Sequence, residues 1–202
     1  MSPFSEFELP SADIVFLLDG SDGMRANERH ILDFVREFVK QVEIGPRKLQ
    51  VALAQYSTEP TLEFLLNTYS LKNDVMQHLN NVTLKGGVDV NTGVALDYVM
   101  DNVFTASSGS RAQLEVPQIL ILLSGRKSDD GVLDAKERLR NAGIVLYSVG
   151  MNNADRLEME QLAHSPKANH FIEDIADFPL VREKLLLAIA SQDAVVTTVV
   201  GE

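Results

Sequence analysis

Apolar residues along this chain fall into two alternating kinds of segment. The first kind is nearly continuous. Residues 12–20 (ADIVFLLDG), 49–56 (LQVALAQY), 117–123 (PQILILL) and 144–150 (IVLYSVG) are mostly apolar over their length and end near Asp, Ser or Gly. Such runs suit strands covered on both faces. The second kind is periodic. Ile31, Phe34, Val35, Phe38, Val39 and Val42 repeat at helical offsets, with Asp33, Arg36, Glu37 and Lys40 on the opposite side, which predicts an amphipathic helix.

Helical spacing recurs at roughly 71–81, 93–104, 131–142, 155–163 and 178–190, and a short strand is expected near 168–172. Residues 61–66 (TLEFLL) follow 49–56 across the tetrapeptide STEP, so the two predict a hairpin with 61–66 as its antiparallel arm. Strands alternating with helices define an α/β fold: a doubly wound, mostly parallel open sheet with one antiparallel edge strand and helices on both faces. Residues 1–11 and 192–202 read as linkers flanking one domain at 12–191.

The chain has 202 residues with 45% hydrophobic and 23% charged positions, in the range of ordinary globular domains. Eighteen basic against 29 acidic side chains give a net charge of −11, which argues against nucleic acid or anionic lipid as the main partner. Apolar runs of about five residues are too short to insert in a membrane. Cysteine is absent, so thiol nucleophiles, disulfides and Cys-based zinc sites are excluded. The opening MSPFSEFELPSAD has no basic start and no apolar stretch and does not read as a secretory signal. A secreted protein with this sequence would be a piece of a longer chain.

In open parallel sheets, ligands meet the carboxyl ends of the strands. The residues there are Asp19-Gly20-Ser21-Asp22-Gly23 and Ser124-Gly125-Arg126. Neither a GxGxxG nor a GxxxxGK[ST] motif follows a strand, and His30, His78, His164 and His170 have no metal-ligand spacing. Each histidine is expected at the surface or with its hydrogen bonds satisfied. A phosphoryl-transfer role for Asp19 as nucleophile lacks the companion carboxylate and lysine that such chemistry uses.

Four ordered blocks, ADIVFLLDGSDGM, NTGVALDYV, VPQILILLSGRKSDD and VGMNNAD, resemble the von Willebrand factor type A domain. The stretches VALAQYSTEPTLEFLLNTY, NTGVALDYVMDNVF and SGSR…VPQILILLSG bring the resemblance closer to the N-terminal A-domains of collagen VI. The likeness covers residues 12–191. It implies a secreted, non-catalytic extracellular-matrix module that contributes to microfibril assembly and adhesion. Its implied partners are matrix proteins and neighbouring collagen VI A-domains.

The family's functional centre is a metal-ion-dependent adhesion site with the pattern D-x-S-x-S, a Thr opening a middle helix, and an Asp after the fourth strand. Asp19, Ser21 and Thr92 match it. Gly23 stands at the second Ser and Ser124 at the second Asp. One matched carboxylate in place of two implies a degenerate site, with no cofactor or magnesium held at low affinity, at the ~10⁻³ M end of oxygen-ligand sites. The alternative implied by the same resemblance is a working magnesium-dependent site that binds an acidic residue of a matrix ligand.

The matched residues also have ordinary structural roles open to them. Thr92 suits the N-cap of its helix, Ser21 and Asp19 suit holding loop amides, Gly86-Gly87 suits a turn, and Asp129 and Asp130 suit a helix N-terminus. Asn81-Val82-Thr83 is an N-glycosylation sequon and is expected exposed at a helix end.

Overall fold

The computed structural model of the chain describes residues 9–191. The expected linkers at 1–8 and 192–202 lie outside these residues. Of the expected N-terminal linker, Leu9 packs partly against the core and the Ser11 hydroxyl donates to the Arg47 carbonyl at 2.7 Å.

Six strands form one sheet: β1 (Ala12–Asp19), β2 (Leu49–Tyr56), β3 (Pro60–Phe64), β4 (Gln118–Arg126), β5 (Ile144–Asn153) and β6 (Asn169–Ile172). Their spatial order is β3-β2-β1-β4-β5-β6. All pairings are parallel except β2–β3, the predicted hairpin. From β1 the chain winds outward through β2 and β3, then returns to the other side of β1 with β4. The topological switch point therefore lies between β1 and β4, where such sheets open a crevice at their carboxyl ends.

Both faces of the sheet are covered because β1 is buried at all eight positions. Ile14, Phe16 and Leu18 belong to one apolar layer, Val15 and Leu17 to the other. The first layer receives α1 (Glu28–Lys40), α2 (Lys72–Leu79) and α6 (Asp177–Ala190). The second receives α3 (Thr92–Asn102), α4 (Leu133–Asn141) and α5 (Arg156–Leu162). On α1 the predicted stripe, Ile31, Phe34, Val35, Phe38 and Val39, is buried as expected. Phe38 meets Phe16 edge-on with ring centroids 5.2 Å apart. Burying a side chain of that size contributes about 1.5–3 kcal/mol.

The element boundaries shift modestly from the periodicity. A 3-10 turn at Asp22–Asn27 precedes α1, and β3 is shorter than the apolar run because Leu65 and Leu66 turn away after Phe64. One expectation fails. His170 is not satisfied: among the described residues its buried Nε2 has no hydrogen-bond partner. His78, by contrast, meets the Tyr69 hydroxyl through Nδ1 at 2.9 Å and Glu63 through Nε2 at 3.5 Å.

Candidate functional site: the crevice between β1 and β4

Asp19, the last residue of β1, and Ser124, two residues before the end of β4, lie on adjacent strands just past the last paired position, Leu18↔Leu123. The Asp19 carboxylate is only 1% exposed. It accepts the Ser21 amide at Oδ1 and the Gly125 amide at Oδ2, both at 3.0 Å. One carboxylate thus ties the turn after β1 to the bulged end of β4. This is the loop-holding role its position allows, extended to a second loop. The Ser124 hydroxyl is equally buried and donates to the Arg126 carbonyl at 3.0 Å, within a β-bulge between Ser124 and Arg126.

Thr92 does reach this crevice, but not as an N-cap. It is the first residue of α3, and its hydroxyl pairs with the Tyr56 hydroxyl at 3.1 Å. The N-cap position, Asn91, makes no side-chain cap bond. The open amides of α3 are met from elsewhere: Asp130 accepts the Gly93 and Val94 amides, each at 2.8 Å, and the Ser128 hydroxyl accepts the Thr92 amide at 3.0 Å. Asp130 is therefore a helix N-terminal charge, as expected of its type, but it serves α3 across the fold and not the helix that follows it in sequence. Asp129 works beside it, accepting the Val90 amide at 2.7 Å and pairing with both Arg126 terminal nitrogens.

The loop carrying Thr92 is pinned along its length. The Leu84 amide donates to Glu28, Arg25 donates to the Leu84 carbonyl, and the Gly86 amide reaches the Gly20 carbonyl at 2.9 Å. Gly87 has φ +121°, and a Cβ there would fall 2.4 Å from the Ser57 hydroxyl. The turn expected of Gly86-Gly87 is thus one that only glycine accommodates.

Ser21 is 3% exposed beside Asp19. Gly23 supplies no side-chain oxygen, yet a Cβ there would meet only the Ser21 hydroxyl, at 3.8 Å. Asp22 points away from the crevice toward Arg25, 3.7 Å distant. Tyr56 closes the floor: burial, reinforced by the Asp19 charge, pushes its phenol well above the ordinary tyrosine range, so it stays protonated. Met24 fills the space over Gly125, its sulfur lying 2.0 Å from where a Cβ would stand. The remaining cleft, about 470 Å³, is lined by Asp19, Ser21, Gly23, Arg126 and Asn152 among others.

The structure therefore gathers Asp19, Ser21, Thr92 and Ser124 into one buried polar cluster. Gly23 lies at its rim and Asn81 elsewhere, exposed just beyond α2 with its amide on the Gln77 carbonyl at 2.8 Å. Tyr56 was missed in the sequence, and so were the partners of Asp130 and Arg126, although those residues themselves were singled out. Asp130 lies 37 positions from Gly93, so no local spacing pattern links them. Among the described residues, no group of three or more His, Cys, Asp or Glu side chains is arranged to hold a metal ion. No described helix is long and apolar enough to cross a membrane.

A doubly wound sheet with a D-x-S turn and a helix-opening Thr at its switch point defines the class. The family model for the von Willebrand factor type A domain matches residues 13–183, and the chain belongs to that family. It is 33% identical over 183 residues to the collagen alpha-4(VI) chain of Mus musculus, covering 88% of this chain and 8% of that one. It is 37% identical over 171 residues to the collagen alpha-1(XII) chain of Notophthalmus viridescens, covering 84% and 18%. Matrilin-1 of Mus musculus is 32% identical over 176 residues, covering 86% and 34%.

The chain thus spans from 8% to 34% of the length of these relatives. In fold it is similar to proximal thread matrix protein 1 from the mussel byssus, a structure with a zinc-occupied MIDAS motif. The TM-score is 0.83 at 21% identity, over 90% of this chain and 48% of that one.

Proposed function

We propose that this domain is a non-catalytic interaction module of the extracellular matrix. On this reading it is secreted as part of a collagen VI-type chain and contributes to microfibril assembly by binding matrix proteins and neighbouring A-domains. Its adhesion site is degenerate and works without a divalent ion. The observation that carries this reading is the Asp19 carboxylate, the one matched formal charge, whose two oxygens each accept a loop amide. In a metal site this charge would have to serve the ion, and magnesium dehydrates only for a well-charged oxygen set.

The other residues support the same conclusion. Ser124 is neutral and its hydroxyl is turned onto the Arg126 carbonyl, and Gly23 offers no oxygen. Thr92 is engaged by Tyr56. The donor set present does not fit a magnesium ion. Catalysis by Asp19 is unsupported for a related reason: its carboxylate is buried and both oxygens are occupied by loop amides. Glycosylation at Asn81 belongs to the same reading, since the sequon is exposed beyond a helix end.

Thermal unfolding with and without magnesium tests the reading. A ligand that binds only the native state must raise Tm by mass action. No shift is expected at millimolar magnesium or on adding EDTA. Saturable micromolar binding abolished by Asp19→Ala would establish the magnesium-dependent alternative in its place.

A further inference from the structure

Around the loop that follows β4, three aliphatic side chains face solvent: Val88 at 78%, Leu133 at 57% and Val94 at 46% exposure. The fold gathers the backbone segments that carry them around this loop. Arg126 donates to the Val88 carbonyl, Asp130 receives the Val94 amide, and the Gly131 carbonyl lies 2.0 Å from where a Cβ of Gly93 would stand. Single exposed aliphatic residues are ordinary, but several collected at the ligand-binding end of an open sheet mark an interaction surface.

The charges beside them are unequal. Each basic group of the loop is committed: Arg126 to Asp129, and Lys127 to Asp155 at 3.9 Å. Asp89 and Asp134, adjacent in sequence to Val88 and Leu133, are exposed and form no ion pair among the described residues. Asp89 has a long contact with the Thr58 hydroxyl, at 3.5 Å, and lies within electrostatic reach of Arg126 without forming an ion pair with it. The whole chain carries −11, so an incoming carboxylate meets repulsion here and an incoming cation does not.

We propose that this surface docks a partner segment in which lysine or arginine flanks an aliphatic side chain, the aliphatic group resting on Val88, Val94 and Leu133 and the cations on Asp89 and Asp134. The inference rests on the ion-free reading above and adds the sign of the partner's charge. It is opposite to the acidic residue that a metal-bearing site would select.

The test uses the ¹⁵N-labelled chain and two blocked peptides, Ser-Lys-Lys-Leu-Leu-Lys-Lys-Ser and its counterpart with glutamate for lysine, each titrated in EDTA and in magnesium. The lysine peptide is expected to shift the amides of residues 88–94 and 131–134 saturably, alike in both buffers, and more weakly near 1 M salt, where screening acts over ~3 Å. Asp89→Lys with Asp134→Lys should weaken it roughly tenfold. Val88→Ser with Leu133→Ser should weaken it several-fold without altering salt dependence, roughly as expected for lost apolar contact. All four positions are exposed, so these variants keep the fold.

A preference for the glutamate peptide in EDTA overturns this inference and leaves the ion-free reading standing. So does lysine-peptide binding that survives both variant pairs or maps to other amides. Binding of either peptide that requires magnesium overturns the ion-free reading itself.

Discussion

Asp13 and Arg111 lie 98 positions apart and form an ion pair at the end of the sheet opposite the crevice. Asp13 is fully buried in β1, and it accepts the Arg111 Nε at 2.8 Å and the Arg111 amide at 2.6 Å. Gln118 and Gln50 add further donors to the same carboxylate. The guanidinium continues to the carbonyls of Ala12, Pro46 and Lys48. One arginine thereby fastens the loop before β4 to the starts of β1 and β2.

Arg111→Ala removes the charge facing a buried carboxylate, and breaking such a pair typically costs about 3–5 kcal/mol. Urea unfolding should show a fall in midpoint of that order with an unchanged slope. Asp13→Asn, which keeps an acceptor, should cost less. A loss below ~1 kcal/mol for Arg111→Ala would mean the remaining donors suffice.

The capping of α3 from a distance has its own signature. Asp130→Ala leaves the Gly93 and Val94 amides without acceptors, so a loss of about 1–2 kcal/mol is expected. Hydrogen exchange should quicken in the first turn of α3, 36 positions or more from the substitution. Exchange that quickened only around residue 130 would contradict the assignment.

Two groups make stability depend on pH in opposite senses. Burial, with a lesser contribution from Lys184, lowers the His170 pKa below its ordinary 6.5. The unfolded chain then binds the proton more readily, so this contribution is present above pH 6.5 and is lost as pH falls through that value. Burial raises the Glu158 pKa above its ordinary 4.5 despite the Ser128 amide it accepts. That group adds stability below 4.5, and the gain is lost as pH rises through its folded value. Thermal scans should therefore show a flatter acid limb for His170→Phe and a steeper one for Glu158→Gln. Superimposable profiles for wild type and His170→Phe would show that the ring is solvated in the folded state.

Restoring the two departed positions should create a metal site at a cost to the empty protein. A side chain at residue 23 has room, while an aspartate at 124 would sit buried beside Asp19. Gly23→Ser with Ser124→Asp should bind magnesium measurably by calorimetry. Without metal it should lose on the order of 3 kcal/mol, the scale of an uncompensated buried charge. Failure to gain affinity would point to Tyr56 and Met24, not missing charge, as what keeps the ion out.

Asn81 should carry a glycan when the domain is made by secreting cells, seen as a mass shift removed by a glycosidase and absent in Asn81→Gln. Unmodified Asn81 in such material would mark the sequon as chance.

The amino-acid sequence was sufficient for the layers of this fold. Runs of mostly apolar residues bounded by turn signals suit strands covered on both faces, and the stripe on α1 has one side to bury, so Phe16 and Phe38 were bound for the interior. The positions of Asp19, Ser21 and Ser124 at one crevice followed from the same alternation, because parallel strands present their carboxyl ends on one edge, whereas Thr92 was placed there only by the family resemblance.

What each side chain does there was decided only by tertiary structure. Hydrogen bonding to loops depends on which turns meet across the switch point, and that is set by strand order and not by local spacing. Hence Asp19 reaches the Gly125 amide, Asp130 caps a helix that precedes it, Thr92 turns to Tyr56 instead of its own helix end, and the buried His170 Nε2 is left without a hydrogen-bond partner among the described residues.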